Sequence, residues 1–123
     1  MNMSTYEISV DHEFDAMHSV KLASGIFEKS HNHTWRVTLT LRSDKLDSSG
    51  MIADFEEVKK ALRAETKDIE GSDLNAIPQF FDAGASAELV AQLLAGRFQK
   101  RYPKNLYCVR VTESPGCSAA SFP

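Results

Sequence analysis

Residues 31–42 read HNHTWRVTLTLR and contain the clearest strand pattern in the chain. From Thr34 to Arg42, apolar and polar side chains alternate strictly, a period of two that is typical of a strand with one buried face. The apolar side chains of this run are Trp35, Val37, Leu39 and Leu41. We therefore predict a strand over residues 34–42 and interpret the neighbouring segments as its partners in a sheet.

Two histidines, His31 and His33, begin this stretch, and His18 precedes them in the spacing H-x₁₂-H-x-H. Side chains at positions i and i+2 of a strand point to the same face, so His31 and His33 can act together. With His18 they supply the three protein ligands of a catalytic type of zinc site, which leaves its fourth position open. Short histidine patterns also arise by chance, and the alternative is two exposed strand histidines and one unrelated histidine.

The rest of the chain supplies three further strands and two helices. The predicted elements are a strand at residues 5–14, a helix from an N-cap at Asp54 to Gly71, a helix from an N-cap at Ser86 to Tyr102, and strands at residues 105–114 and 117–123. The order β-β-α-α-β-β predicts an α+β domain, in which a four-stranded antiparallel sheet carries both helices on one face. We expect the other face to be partly apolar and to require a partner, which favours a homo-oligomer.

Composition limits the classes of protein to which the chain can belong. A length of 123 residues indicates a single domain over residues 1–123. The net charge is −3 and no Lys/Arg cluster is present, so nothing favours nucleic acid or a membrane surface as a partner. No apolar run approaches a transmembrane helix, and the first residues lack a signal-peptide core. Because only Cys108 and Cys117 are present, we expect a reducing, cytoplasmic location.

Six short stretches along the chain form a series. They are FDAMH (residues 14–18), HNHTWRVTLTL (31–41), GMIADF (50–55), LN (74–75), SAE (86–88) and VTES (111–114). In this order they resemble the family of 6-pyruvoyl-tetrahydropterin synthase and 6-carboxy-tetrahydropterin synthase. The resemblance covers almost the whole chain and implies the T-fold, in which trimers close their sheets into one barrel and two trimers stack. It also implies active sites between subunits, in a trimer or a dimer of trimers.

The resemblance also implies a cofactor and a substrate. It places zinc on His18, His31 and His33, and its substrate is a small-molecule pterin, 7,8-dihydroneopterin triphosphate. Zinc would polarise oxygens of the substrate side chain and ease proton removal from adjacent carbons. Glu113 matches the family's pterin-anchoring glutamate, since a carboxylate accepts two parallel hydrogen bonds from the amino-pyrimidinone edge. Without the resemblance, Glu113 would be interpreted as an exposed carboxylate at a strand end.

The chain departs from the family pattern at the residues that move protons. The family has a catalytic cysteine four residues before the first histidine of a His-Gly-His. This chain has Phe27 in place of that cysteine, and Asn32 in place of the glycine. The family also has an Asp-His pair before Leu-Asn, where this chain has Glu70 and Gly71. The usual Cys-Asp-His relay is therefore incomplete.

Glu28 offers a replacement for the missing cysteine. It lies three residues before His31 and resembles a subgroup of the family in which a glutamate substitutes for the cysteine. That subgroup cleaves the substrate side chain to give 6-hydroxymethyl-7,8-dihydropterin for folate synthesis. A carboxylate beside zinc can act as a general base if it reaches the proton, although most loop glutamates are simply solvated. Glu70 and Asp73 are nearby carboxylates and complete the candidate catalytic set.

The function that we expect is that of a zinc-dependent lyase of the 6-pyruvoyl or 6-carboxy-tetrahydropterin synthase type. Its product, and its pathway among queuosine, folate and biopterin synthesis, stay open at this point. One alternative is a catalytically inactive paralogue that keeps zinc and binds a pterin or purine-like ligand. Another is an enzyme with a different pterin-like or purine-like substrate, because a fold does not fix a function.

Overall fold

Four antiparallel strands, adjacent in chain order, form one sheet. A computed structural model describes residues 4–123, so the first three residues of the predicted domain lie outside the described part. The elements are β1 (Tyr6–His18), β2 (His31–Ser43), α1 (Phe55–Thr66), 3₁₀ helices at Leu74–Ala76 and Pro78–Phe80, α2 (Ala87–Arg101), β3 (Leu106–Ser114) and β4 (Cys117–Ser121). The predicted α+β order β-β-α-α-β-β is confirmed.

The two α-helices begin where short-range chemistry predicts. The Asp54 carboxylate accepts a hydrogen bond from the Glu56 N–H, and the Ser86 hydroxyl accepts one from the Leu89 N–H, so both predicted N-caps are confirmed. α1 ends at Thr66 rather than at Gly71, and the Thr66 hydroxyl donates to the Leu62 carbonyl. In the described part of the chain, no helix is both long and apolar enough to cross a membrane.

The hydrophobic core lies between the helices and one face of the sheet. Its centre is the cross-strand pair Phe14 and Trp35, whose rings are stacked with an interplanar angle of 5° and are almost fully buried. The indole N–H of Trp35 donates to the Ala16 carbonyl, so its polar atom is satisfied inside the core. Apolar residues of both helices complete the core, among them Val58, Leu62, Val90, Leu94 and Phe98. Phe55, the first residue of α1, does not join this core and is 55% exposed.

The opposite face of the sheet is polar, which corrects our expectation of an apolar face. Ion pairs cross it from β1 to β2, with Glu7 to Arg42 at 2.7 Å and Glu13 to Arg36 at 3.1 Å. The reason is the strict alternation of β2, which turns all of its apolar side chains towards the helices. The polar face therefore gives no support to the predicted oligomer.

β1 and β2 both extend beyond the predicted ends, and the extension determines where the histidines lie. β1 continues to His18 and β2 begins at His31, because the antiparallel pairing holds to the last residue of β1. Ala16 pairs with His33 and His18 pairs with His31. The three histidines thus lie at one end of the hairpin.

Candidate metal centre

The β1–β2 register brings the three predicted ligand histidines together. His18 belongs to the core face of β1, in phase with Phe14 and Ala16, and its side chain is 1% exposed. His31 and His33 share the corresponding face of β2, in phase with Trp35. The imidazole centroids of His31 and His33 lie 4.6 and 5.2 Å from that of His18. The rings therefore converge on one point.

The fourth residue at this point is Glu113, near the end of β3. Its Oε1 lies 2.7 Å from Nε2 of His18, 3.1 Å from Nε2 of His33 and 4.0 Å from Nε2 of His31. Together the four side chains offer ligand atoms that all lie within 4.8 Å of one another. Glu113 follows the core face of β3, in phase with Val109 and Val111, which explains why its carboxylate reaches the histidines.

The hydrogen bonds of two rings determine what the centre can bind. Nδ1 of His18 lies 2.7 Å from the Ala85 carbonyl, and Nδ1 of His31 lies 3.0 Å from the Lys29 carbonyl. Because a carbonyl can only accept, each Nδ1 carries the proton, and a neutral ring then has a lone pair at Nε2. The two Nε2 atoms are 3.1 Å apart and face a carboxylate. A divalent cation can bind to such an arrangement, and imidazole and carboxylate ligands with backbone carbonyls behind them suit zinc.

The environment of His18 is fixed by contacts that the sequence did not predict. Asn75 accepts a hydrogen bond from the Ser19 N–H at 3.0 Å and donates to the Ser19 hydroxyl at 3.1 Å. The Ala85 N–H donates to the Ser19 carbonyl at 3.1 Å, so Ala85 holds both His18 and its neighbour. A Cβ on Gly84 would lie only 2.3 Å from that carbonyl oxygen. The LN stretch was the available signal for Asn75, but it did not indicate this role.

Glu28 lies outside the four-residue cluster and is hydrogen-bonded to Val20, two residues after His18. Its carboxylate accepts a hydrogen bond from the Val20 N–H at 3.1 Å, and its own N–H donates to the Val20 carbonyl at 3.0 Å. The side chain is partly buried. These bonds tie the loop between β1 and β2 to the residue two positions after His18.

Glu70 and Asp73 lie in a segment that runs beside the end of β1. The Gly71 N–H donates to the Asp15 carbonyl, and the Met17 N–H donates to the Ser72 carbonyl. Both carboxylates are exposed, and that of Asp73 caps a 3₁₀ helix by accepting from the Asn75 N–H. Neither belongs to the His/Glu cluster found in the described residues.

The GMIADF stretch, residues 50–55, lies away from the metal centre. It leads into α1 and lines a groove of about 540 Å³ together with Tyr6, Ile8 and Leu46. Tyr6 and His18 are the two ends of β1, so the groove and the histidines lie at opposite ends of that strand. Apolar side chains of this stretch stay exposed at the groove, Met51 at 45% and Phe55 at 55%.

Comparison with known proteins finds similarity to one protein family. A model of the 6-pyruvoyl tetrahydropterin synthase family matches residues 7–122. A 6-carboxy-5,6,7,8-tetrahydropterin synthase of Bacillus subtilis (strain 168) is 32% identical over 59 residues, which make up 47% of this chain and 40% of that protein. The match to this curated relative therefore spans less than half of either chain.

Solved structures share the whole fold at low sequence identity. The 6-pyruvoyl tetrahydropterin synthase of Caenorhabditis elegans has a TM-score of 0.84 at 18% identity, and the alignment covers 100% of this chain and 99% of that one. The Plasmodium vivax synthase has a TM-score of 0.77 at 16% identity, with 98% of both chains covered. Variants of that protein altered at a catalytic glutamate also match, with a TM-score of 0.74. The fold is thus the T-fold predicted from the sequence.

Proposed function

This chain belongs to the 6-pyruvoyl tetrahydropterin synthase family, and we propose that it is a zinc-dependent lyase acting on 7,8-dihydroneopterin triphosphate. The observation that carries the proposal is the convergence of three imidazole Nε2 atoms and one carboxylate within 4.8 Å. Tetrahydropterin synthases process pterins, which supplies the substrate class. The curated relative favours the 6-carboxy type of product, whereas Glu28 favours 6-hydroxymethyl-7,8-dihydropterin.

His18, His31 and His33 would hold the zinc ion. When bound, zinc supplies Lewis acidity that polarises the side-chain oxygens of the substrate and makes adjacent C–H bonds more acidic. The Ala85 and Lys29 carbonyls fix the ring orientation and the tautomer of His18 and His31, so both present Nε2 to the centre. His31 is 38% exposed while His18 is buried, which leaves the side of His31 for substrate entry.

Glu113 would anchor the pterin ring. Its two carboxylate oxygens match the parallel N–H donors of the amino-pyrimidinone edge. Its side chain is 27% exposed, so a ligand can reach it. In this position it would orient the substrate side chain towards the three histidines.

Glu28 is our candidate for the general base that takes a proton from the substrate side chain. One of its oxygens accepts the Val20 N–H, and a carboxylate has capacity for further hydrogen bonds. A glutamate is described as a catalytic residue in the Plasmodium vivax synthase, so the family admits this residue type in catalysis. Glu70 and Asp73 are the other candidates, since their segment runs beside β1 close to His18.

The proposal includes a homo-oligomer, a trimer or a dimer of trimers, in a reducing cytoplasmic location. Exposed apolar side chains at the groove, Leu46, Met51 and Phe55, provide a surface for subunit contact. The cysteines, Cys108 and Cys117, are both free. Free thiols agree with a reducing compartment.

The second candidate is an inactive paralogue that binds a pterin or purine-like ligand. The observation in its favour is the pair Phe27 and Gly71, which lie where the family has its catalytic cysteine and histidine. This candidate keeps the four-residue metal centre and differs only in turnover.

The test is anaerobic incubation of the zinc-loaded protein with 7,8-dihydroneopterin triphosphate, followed by mass analysis of the pterins. A 6-pyruvoyl, 6-carboxy or 6-hydroxymethyl product supports the lyase and identifies its branch. The matched control is His12→Ala, which removes a histidine of β1 outside the cluster and should retain turnover, whereas His31→Ala should lose it. Unchanged substrate from protein that holds zinc and binds the pterin supports the inactive paralogue.

A further inference from the structure

A site with three histidine ligands does not account for the closeness of the Glu113 carboxylate to the ring nitrogens. A catalytic zinc site normally has three protein ligands and an open fourth position. Here a carboxylate oxygen lies beside the ring nitrogens, 2.7 Å from Nε2 of His18 and 3.1 Å from Nε2 of His33. A carboxylate this close to two ligand nitrogens can itself bind a metal ion that they hold.

We propose that Glu113 is the fourth metal ligand when no pterin is bound, and that the incoming pterin ring draws its carboxylate away and thereby opens the centre. The inference rests on the proposed function for the identity of the ring. The first part of the inference, that Glu113 is a metal ligand when no pterin is bound, depends only on the four side chains of the cluster. Glu113 would then have two alternating roles, as a ligand and as an anchor.

The distances fit a four-ligand arrangement. With bonds of about 2.0–2.1 Å, neighbouring ligand atoms of a tetrahedral zinc site lie roughly 3.3 Å apart. The distances from Oε1 of Glu113 to the three Nε2 atoms are 2.7, 3.1 and 4.0 Å, and the two nearest ring nitrogens are 3.1 Å apart. Most of these distances lie near the tetrahedral value, and the widest separations in the cluster, up to 4.8 Å, would have to shorten when a metal ion binds. The carboxylate charge also offsets part of the charge of a divalent cation next to the buried His18 ring.

The two roles of Glu113 compete. Each carboxylate oxygen has two lone pairs, so two N–H bonds from the amino-pyrimidinone edge do not use up the carboxylate, but they fix its plane and share its negative charge. A carboxylate oxygen whose charge is shared with N–H donors binds a cation less strongly. We therefore expect ring binding to release this ligand, so that the side chain of the substrate can take its position.

The strand pairing is irregular at Glu113, which affects the direction of its side chain. The pairing of β3 with β4 is irregular between Thr112 and Ser114, which are the residues on either side of Glu113. Irregular positions of this kind redirect side chains next to active sites. The chain then turns at Gly116, whose φ of +82° favours glycine. Glu113 thus lies beyond the paired residues of β3 and β2 and at an irregular position of the pairing with β4.

The test measures metal binding and coordination without turnover. The probe is Co²⁺ in place of zinc, followed by its visible absorption, and oxidised neopterin is the ring ligand. We expect Glu113→Gln to weaken Co²⁺ binding about tenfold or more. Even the loss of a group that only hydrogen-bonds to a metal ligand lowers metal affinity about 10- to 100-fold. Without neopterin, the Co²⁺ spectrum of Glu113→Gln should differ from that of the unaltered protein. Addition of neopterin to the unaltered protein should make its Co²⁺ spectrum more similar to that of Glu113→Gln.

Two further variants keep the test decisive. Glu113→His supplies a ligand that cannot accept two parallel N–H bonds, so it should retain Co²⁺ affinity but lose neopterin binding. Glu13→Gln removes a carboxylate from the polar face of the sheet and should change neither property. If Glu113→Gln keeps the Co²⁺ affinity and the spectrum but loses neopterin binding, Glu113 is an anchor only and the switch is overturned. If Glu113→Gln loses Co²⁺ affinity but the unaltered protein neither binds nor converts a pterin, Glu113 is a metal ligand and the proposed function is wrong.

Discussion

Nε2 of His18 and Nε2 of His31 lie 3.1 Å apart across the β1–β2 pairing, and each ring donates its Nδ1–H to a backbone carbonyl. Two ring nitrogens held in this way present lone pairs to each other. The fold fixes them there because His18 is buried in the core and its cross-strand partner is His31. These lone pairs and the Glu113 carboxylate together form a site that suits a divalent cation.

The first prediction concerns metal and stability. Zinc should raise the free energy of unfolding by about 3–4 kcal/mol when free zinc is roughly 100- to 1,000-fold above its Kd. Calorimetric unfolding with zinc and with a chelator measures this difference. His18→Ala should abolish the response to zinc, while His12→Ala, on the same face of β1 but outside the cluster, should keep it. An equal response in both variants would show that zinc binds elsewhere.

The second prediction concerns the general base. Glu28→Gln should lower turnover by about 10²- to 10⁴-fold, the range for loss of general acid–base catalysis, while the protein keeps its zinc. Steady-state kinetics together with zinc content measures both properties. The control is Glu56→Gln, an exposed carboxylate on α1 that should leave turnover unchanged. Full activity in Glu28→Gln, with a loss in Asp73→Asn or Glu70→Gln, would move the role to one of those carboxylates.

The third prediction concerns the backbone that holds His18. Both Gly84 and Gly50 have positive φ angles, +85° and +77°, so alanine at either position costs about 1–3 kcal/mol of strain. Only at Gly84 would the new Cβ also clash, 2.3 Å from the Ser19 carbonyl oxygen and 2.9 Å from Cα of Val20. Gly84→Ala should therefore unfold at lower denaturant concentration than Gly50→Ala and bind zinc more weakly. Equal zinc affinity in the two variants would contradict this link.

The sequence predicts the parts of this fold that depend on neighbours in the chain. The alternation of β2 and the N-caps at Asp54 and Ser86 rest on short-range chemistry, and all three are confirmed. Extension of β1 to His18 was missed, because its last residues mix polar and apolar types without a strong strand pattern. The error about the apolar second face arose because α1 and α2 and every apolar residue of β2 share one side of the sheet.

The candidate site depends more on contacts that are distant in sequence. The spacing of His31 and His33 indicates a shared face, but the position of Glu113 depends on how β3 pairs with β2. The Ala85 carbonyl and the Asn75 side chain reach the neighbourhood of His18 from 67 and 56 residues away along the chain. No local pattern specifies such contacts. The sequence therefore named candidate ligands but not the groups that orient them.

The last prediction concerns the pH dependence of stability. Arg97 on α2 donates two hydrogen bonds to the Asp68 carboxylate, at 2.8 and 2.9 Å, and a third to the Glu65 carbonyl at 2.6 Å. The hydrogen bonds from Arg97 lower the pKa of Asp68 below its ordinary value of 3.8. A carboxylate whose pKa is lowered by folding stabilises the fold above the unfolded value. That stabilisation is lost as the pH falls through the lower, folded value.

Asp68→Asn should therefore destabilise the protein at pH 7 by about 0.5–1 kcal/mol, a small effect because 62% of the Asp68 side chain is exposed. The difference in free energy of unfolding between Asp68→Asn and the unaltered protein should stay constant down to about pH 5. It should then become smaller as the pH is lowered to about 3. Urea unfolding at a series of pH values measures it, with Asp44→Asn, another exposed aspartate, as the control. A difference that persists unchanged at pH 3 would mean that Asp68 acts through packing rather than through its charge.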